Sequence, residues 1–260
     1  MAGKIIKRYS SNTENIILKS LNGIRFQSKI NLLDLGCGYG NLIPNLLTII
    51  PEGSNCTGID WLKNNRQPYL SKLKDAGYNG NFIQGPADHL KTLPKNHFDL
   101  IFANYSLYFF PELISNIAAA LHTNGIFITI THSIHQLKEF LSDLGKCINP
   151  VKPVSWQELG SNQFHNKFCS ENGKILLSSH FSKVELIKYN NNLIFDYNSR
   201  SKCKYYLNFK RPAITYGLPL NTAPVNRSIE SRLNDIIQEK FIENGKYILN
   251  KNDMIFRCRL

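Results

Sequence analysis

Asp34, Gly36, Gly38, Gly40 and Asp60 are the residues whose types and spacing point most directly to chemistry. The three glycines lie in the stretch 32–41, Leu-Leu-Asp-Leu-Gly-Cys-Gly-Tyr-Gly-Asn, straight after an apolar run. There they let the backbone turn sharply and approach a ligand that larger side chains would exclude. A nucleotide-type ligand is the expectation. A dinucleotide fingerprint needs a glycine three positions beyond Gly38, where Asn41 stands, so the spacing disfavours NAD. Asp60 ends a second apolar run, and a carboxylate there can accept two strong hydrogen bonds from a ribose diol. Its bland alternative is a helix N-cap. Trp61 beside it can lay its ring against an adenine or fill the groove between sheet and helix.

These residues need a scaffold that brings strand ends together, and the hydrophobic pattern supplies one. Short apolar runs at 30–35, 56–59, 82–84, 98–103 and 126–131 read as five strands. Helical spacing falls between them, at Ile17, Leu21 and Ile24, at Leu42, Ile43, Leu46, Leu47 and Ile50, at about 64–76, and from Leu113 to Leu121. Strands apolar on both faces and separated by helices predict a parallel sheet covered on both sides. Beyond residue 131 the pattern loosens. A helix is expected around Leu137 to Leu144, a hairpin from strands at 181–189 and 193–197, a helix from Ile229 to Phe241, and one final strand within 246–259. Residues 147–172 receive no assignment.

The chain has 260 residues, 42% of them hydrophobic, with a net charge of +12. That suits one large α/β domain and excludes a disordered chain. No apolar run approaches the ~20 residues of a membrane helix, and the basic N-terminus leads into a polar run, so neither a membrane span nor a secretory signal is expected. Six scattered cysteines, without Cys-x-x-Cys pairs or zinc spacing, predict no disulfide framework and no metal, and fit a reducing, cytoplasmic setting. The charge divides into +4 for residues 1–150 and +8 for 151–260. A basic surface for a polyanion and a compositional bias toward Lys and Asn are both open readings.

The Asp-x-Gly-x-Gly-x-Gly spacing of Asp34, Gly36, Gly38 and Gly40 resembles motif I of the class I S-adenosylmethionine-dependent methyltransferases. Further on, Gly85-Pro86-Ala87-Asp88 resembles the subset with Ala-Glu two residues after the glycine, with Asp88 in place of Glu. The sequence around Asn104 is similar to the small-molecule, trans-aconitate type and lacks the Asn-Pro-Pro-Tyr tetrapeptide of many base-methylating enzymes. The resemblance is firm over about 30–135. It implies a Rossmann-like, doubly wound, seven-stranded, mostly parallel sheet with helices on both faces and a C-terminal substrate cap. The single domain would divide into an N-terminal helix or lid (1–28), a cofactor-binding core (29–135), inserts with the sixth strand and cap (136–245) and a final strand (246–260). S-adenosyl-L-methionine would be held by Asp34, Gly36, Cys37, Gly38, Gly40, Asp60, Trp61, Ala87, Asp88 and Asn104.

Methyl transfer is an in-line displacement that depends mainly on positioning, so a dedicated base is optional. His132, just past the fifth strand, and Tyr105 are the candidates for catalysis. Tyr9, Tyr105, Tyr108, His132, Arg200 and Tyr205 are the candidates for binding the acceptor, while core packing is an equal alternative for Tyr108. The acceptor expected is a small molecule methylated on O, N or C, with no membrane partner. An RNA or protein acceptor, and a non-catalytic cofactor-binding subunit, are the alternatives; oligomeric state is not legible.

Overall fold

A computed structural model of the chain describes residues 2–159, 165–215 and 223–260. Its contacts divide these into two compact units. The larger comprises Glu14–Thr131, Phe168–Tyr189 and Met254–Leu260, the smaller Met1–Thr13, His132–Lys167 and Asn190–Asp253.

The larger unit is built on a seven-stranded sheet in the order β3-β2-β1-β4-β5-β9-β6. Its strands are β1 (Asn31–Leu35), β2 (Asn55–Asp60), β3 (Asn79–Gln84), β4 (Phe98–Asn104), β5 (Leu121–His132), β6 (Lys183–Tyr189) and β9 (Asp253–Arg259). β1 pairs in parallel with β2 and β4, β2 with β3, and β4 with β5. The side chains alternate between two cores, as a period of two requires. Leu33, Ile101, Phe127 and Phe256 face one core with Ile114 and Ile117 of α4 (Ile114–Ala120) and Leu177 of α6 (Gly173–Ser178). Leu32, Leu100, Ile128 and Ile255 face the other with Leu21 of α2 (Ile16–Leu21) and Tyr69 and Leu73 of α3 (Arg66–Asp75). The mostly parallel sheet covered on both faces agrees with the expected fold class.

The smaller unit packs α1 (Ala2–Tyr9), α5 (Lys138–Ile148), α7 (Arg200–Ile214) and α8 (Ala223–Asn244) with an antiparallel ladder of β7 (Asn192–Asp196) and β8 (Lys246–Asn250). Phe140, Leu144, Phe195, Tyr206, Ile237 and Phe241 form its core. The buried Asp143 carboxylate accepts from the Tyr247 hydroxyl at 2.7 Å and pairs with Lys240 at 3.3 Å. This satisfies a charge that would otherwise be costly to bury.

Three local expectations are corrected. The stripe from Leu42 to Ile50 forms a 3-10 turn, Ile43–Asn45, followed by turns, not an α-helix. Pro44 lacks a backbone donor, and the Asn45 amide bonds back to the Asn41 carbonyl at 2.9 Å, so local side-chain bonding competes with a helical ladder. The strands near 181–197 do not pair as a hairpin; β6 joins the large sheet and β7 pairs with β8. The final segment likewise splits at Lys251 and Asn252 into two strands that serve different sheets. Alternation marks strands well, but partners remote in sequence choose their sheet.

Candidate functional site

A cavity of about 510 Å³ lies within the larger unit, at the ends of its central strands. This is within the ~300–1,000 Å³ usual for small-molecule pockets. Gly36, Asp60, Trp61, Ala87, Asp88 and Tyr105 line it, so six expected site residues are brought to one place from the ends of β1, β2, β3 and β4.

The glycine loop is tied to β2 by backbone bonds from Gly36 and Cys37 to the Ile59 carbonyl, at 2.8 and 3.1 Å. Gly36 has φ +72°, and a Cβ there would come within 2.6 Å of the Ser106 Cβ. Only glycine fits that turn without strain or displacement. Asp60 holds the loop from the other side. Its carboxylate accepts from the Gly38 N–H at 2.8 Å, the Leu62 N–H at 2.9 Å and the Asn65 amide at 2.7 Å. It thus combines a turn-capping role with a place on the cavity wall. Three of roughly four acceptor sites on a carboxylate are in use, so a diol taking two hydrogen bonds must displace one of them.

Asp34 is 2% exposed, and its Oδ2 has no hydrogen-bond partner among the described residues. Burial first, and the negative charge of Asp60 second, push its carboxyl up to about 7. Cys37 is a buried thiol, raised well above its ordinary value chiefly by burial. Asp34, Cys37, Gly38 and Gly40 do not line the cavity. Trp61 is 69% exposed, which rules out the filler role for its ring and leaves it as an open face of the cavity. Asp88 is exposed and pairs with Lys91, whose hydrogen bond holds its carboxyl below the usual range.

Strand β4 ends at Asn104, whose Oδ1 is buried with no hydrogen-bond partner among the described residues, and whose side chain is not on the cavity wall. Tyr105 follows at φ +53°, an uncommon conformation for a non-glycine residue that marks the point where the chain turns into the cavity. Tyr108 is corrected: it is 9% exposed and packs in the core with Leu107 and Leu113, because the 3-10 turn Leu107–Phe109 directs it inward. Phe109 and Phe110 line the cavity instead, with Ser106, Leu62 and Pro86. Sequence reasoning missed these; the aromatic run 108–110 was a signal, but its spacing does not reveal which ring turns outward.

The remaining candidates belong to the smaller unit. Tyr9 lies at the end of α1, its ring 4.6 Å from that of Phe195. Its aromatic character serves packing within that unit. Arg200 stacks over Tyr197 at 4.4 Å and donates to the Tyr197 carbonyl at 3.0 Å, while Tyr205 is 43% exposed. The basic and aromatic residues of 199–211 therefore divide between faces of α7: Tyr206 joins Cys203 and Leu207 on the buried face, while Lys202, Tyr205 and Phe209 are exposed. His132 Nδ1 lies 2.6 Å from Asp253 Oδ1 and 2.8 Å from the Gln136 amide nitrogen. Burial, then the charge of Lys251, lower its pKa to about 4 against the opposing pull of Asp253, so the ring is neutral at pH 7.

The methyltransferase-domain family matches residues 26–211 of the chain. Among solved structures the chain is similar to the YcgJ protein of Bacillus subtilis, with 20% identity over 94% of this chain and 97% of that one, at a TM-score of 0.55. It is also similar to a candidate methyltransferase of Bacillus halodurans, at 10% identity, the same coverages and a TM-score of 0.55. Phosphoethanolamine N-methyltransferase 2 of Haemonchus contortus, solved with S-adenosyl-L-methionine, is similar at 15% identity over 99% of this chain and 51% of that one, with a TM-score of 0.47. No curated protein matches the chain by sequence. With the family match spanning most of the chain and the expected sheet order in place, the chain belongs to the methyltransferase-domain family and is a class I enzyme that uses S-adenosylmethionine.

Proposed function

We propose that this enzyme methylates an O, N or C atom of a small molecule, mainly by positioning it in line with the donor. The observation that carries the proposal is the cavity that joins Gly36, Asp60, Trp61, Ala87, Asp88 and Tyr105. When bound, S-adenosylmethionine supplies an electrophilic methyl on a sulfonium. The residues present fit such a group. Asp60 would accept from the ribose hydroxyls, the unpartnered oxygen of Asp34 matches a cationic amino group, and the Gly36 cradle admits backbone contact. Ala87 and Asp88 would read the adenine edge and Trp61 its face. Tyr105 would present an aromatic face that favours a cation. Holding acceptor and methyl group in line can account for roughly 7–11 kcal/mol of the barrier, so no general base is required of an acceptor already deprotonated at neutral pH. A reducing, cytoplasmic setting belongs to the proposal and is supported by six buried free thiols.

An RNA acceptor is the second reading, favoured by Lys202, Tyr205 and Phe209, all exposed on α7. Tritiated-methyl transfer against fractionated cell extract separates the two. Label in the small-molecule fraction is expected. Label retained in RNA or protein would overturn the acceptor class, and absence of any calorimetric binding of S-adenosylhomocysteine at millimolar concentration would sink the whole reading.

Trp61→Ala is expected to weaken S-adenosylhomocysteine binding by about 0.5–1.5 kcal/mol, the usual worth of an aromatic stack. Its melting temperature should be unchanged, since so exposed a ring adds little to folding. Equal affinity in calorimetry would remove Trp61 from the adenine.

A further inference from the structure

Gly58 lies inside β2 without the positive φ that calls for glycine. Space calls for it instead. A Cβ there would lie 2.6 Å from Cζ of Tyr69 and 2.7 Å from Sγ of Cys37, closer than side chains approach one another. Tyr69, on α3 and with no exposed surface, therefore lays the tip of its ring on the β2 backbone. The flank of the same ring reaches the glycine loop, since a Cβ on Gly40 would lie 3.1 Å from Tyr69 Cδ2.

Register then places Asp34 beside that ring tip. Asp34 and Gly58 are partners in the parallel pairing of β1 with β2, whose strands run about 4.8 Å apart. Two residues earlier, the partners Leu32 and Cys56 face the same core as Tyr69. The period of two turns Asp34 and Gly58 to that face as well. The room a side chain on Gly58 would take is thus filled by the carbon that carries the Tyr69 hydroxyl. That hydroxyl and Asp34 Oδ2 are both buried, and neither has a hydrogen-bond partner among the described residues.

A buried oxygen without a partner costs free energy, and a donor beside an acceptor relieves both. Burial first, then the charge of Asp34, push the Tyr69 hydroxyl well above its ordinary value, so it stays protonated and able to donate. Other titratable groups around Asp34 do not compete. Asp60 at the end of β2 opposes its ionisation, and the Cys37 and Cys56 thiols are held neutral by burial and are weak donors. Lys72, further along α3, bonds to Asn41 at 3.2 Å, and Phe102, the partner on β4, is apolar.

We propose that Tyr69 is a positioning residue for cofactor binding: its hydroxyl donates to the ionised Asp34 carboxylate and keeps that charge available to the ammonium group of S-adenosylmethionine. This rests on the role proposed above for Asp34. Tyr69→Phe keeps the ring and removes the hydroxyl. Calorimetry with S-adenosylhomocysteine, which carries the same amino group, compares the full chain with Tyr69→Phe, Asp34→Asn and the double variant from pH 5.5 to 9. Wild-type affinity should rise as Asp34 ionises. In Tyr69→Phe the midpoint of that rise should move up by roughly one pH unit, the scale of a hydrogen bond to a charged group. The variant then binds about tenfold more weakly at pH 6 and approaches wild type by pH 9. In the Asp34→Asn background the same substitution should change affinity less than about twofold, because the coupling has lost its partner. Its melting temperature at pH 5 should not fall, since the hydroxyl removed has no partner there. A loss of affinity equal at every pH, or one that persists beside Asp34→Asn, would overturn the assignment and leave a packing role. Urea unfolding of the ligand-free protein reads the same midpoint without cofactor: the stability lost as pH rises through the folded value of Asp34 should go on falling to higher pH in Tyr69→Phe. Binding of S-adenosylhomocysteine to neither protein would refute the function proposed above and with it the cofactor role, even if the unfolding midpoint moved. Binding with identical pH profiles would refute the part of Tyr69 alone.

Discussion

Asp60→Ala is expected to weaken S-adenosylhomocysteine binding by roughly 10- to 150-fold, the equivalent of about 1.5–3 kcal/mol for hydrogen bonds to a charged group. The carboxylate does two things at once. It lines the cavity, and it fixes the glycine loop through Gly38 and the following turn through Leu62 and Asn65. Alanine removes the ribose acceptor and releases three donors. Asp60→Asn keeps one acceptor oxygen without its charge, so its affinity should fall between those of alanine and wild type. Calorimetry on all three proteins makes the comparison. Equal affinities would exclude Asp60 from the site, and a loss confined to melting temperature would reduce it to a structural cap.

Asp34→Asn is expected to stabilise the ligand-free protein above pH 7 by on the order of 4 kcal/mol, at about 1.4 kcal/mol per pH unit. The folded-state carboxyl is raised to about 7 from an ordinary 3.8, first by burial and then by Asp60. Below pH 4 the side chain is protonated folded and unfolded, and it carries no penalty. Between pH 4 and 7 the unfolded chain releases its proton while the folded chain keeps it, so stability falls as pH rises. Above pH 7 the full cost of a buried charge, one oxygen of which has no hydrogen-bond partner among the described residues, is present. The neutral amide should abolish this slope. Urea unfolding at pH 4.5 and pH 8 measures it, and parallel pH profiles for wild type and variant would refute the account. S-adenosylhomocysteine should also raise the wild-type melting temperature at pH 8 more than the variant's, since its amino group offers the missing counter-charge.

The individual residues show where sequence reasoning succeeds. Strands β1, β2, β4 and β5 were legible because a strand apolar on both faces is a local pattern, and the glycines and Asp60 were legible because a tight turn after a strand needs them. The helix expected around Leu42 to Ile50 failed on a local conflict: apolar spacing favoured it, but Pro44 and the Asn45 side chain opposed the ladder. The hairpin near 181–197 failed for a non-local reason, because β6 and β7 take their places beside strands that arrive only after residue 245. In 105–110 the aromatic composition was visible but not its direction. The backbone turn at Tyr105 puts Tyr108 into the core and Phe109 on the cavity.

The sequence by itself determined the sheet's central strands, the sharp glycine turn and the carboxylate at the end of β2, since each follows from backbone sterics and hydrophobic period over a few residues. Only the tertiary structure decided that Asp34 is buried with its Oδ2 lacking a hydrogen-bond partner among the described residues, and that His132 meets Asp253 across 121 residues of chain beside His165 and Lys251. Burial and charge proximity are sums over neighbours brought together by folding, and no local pattern encodes them.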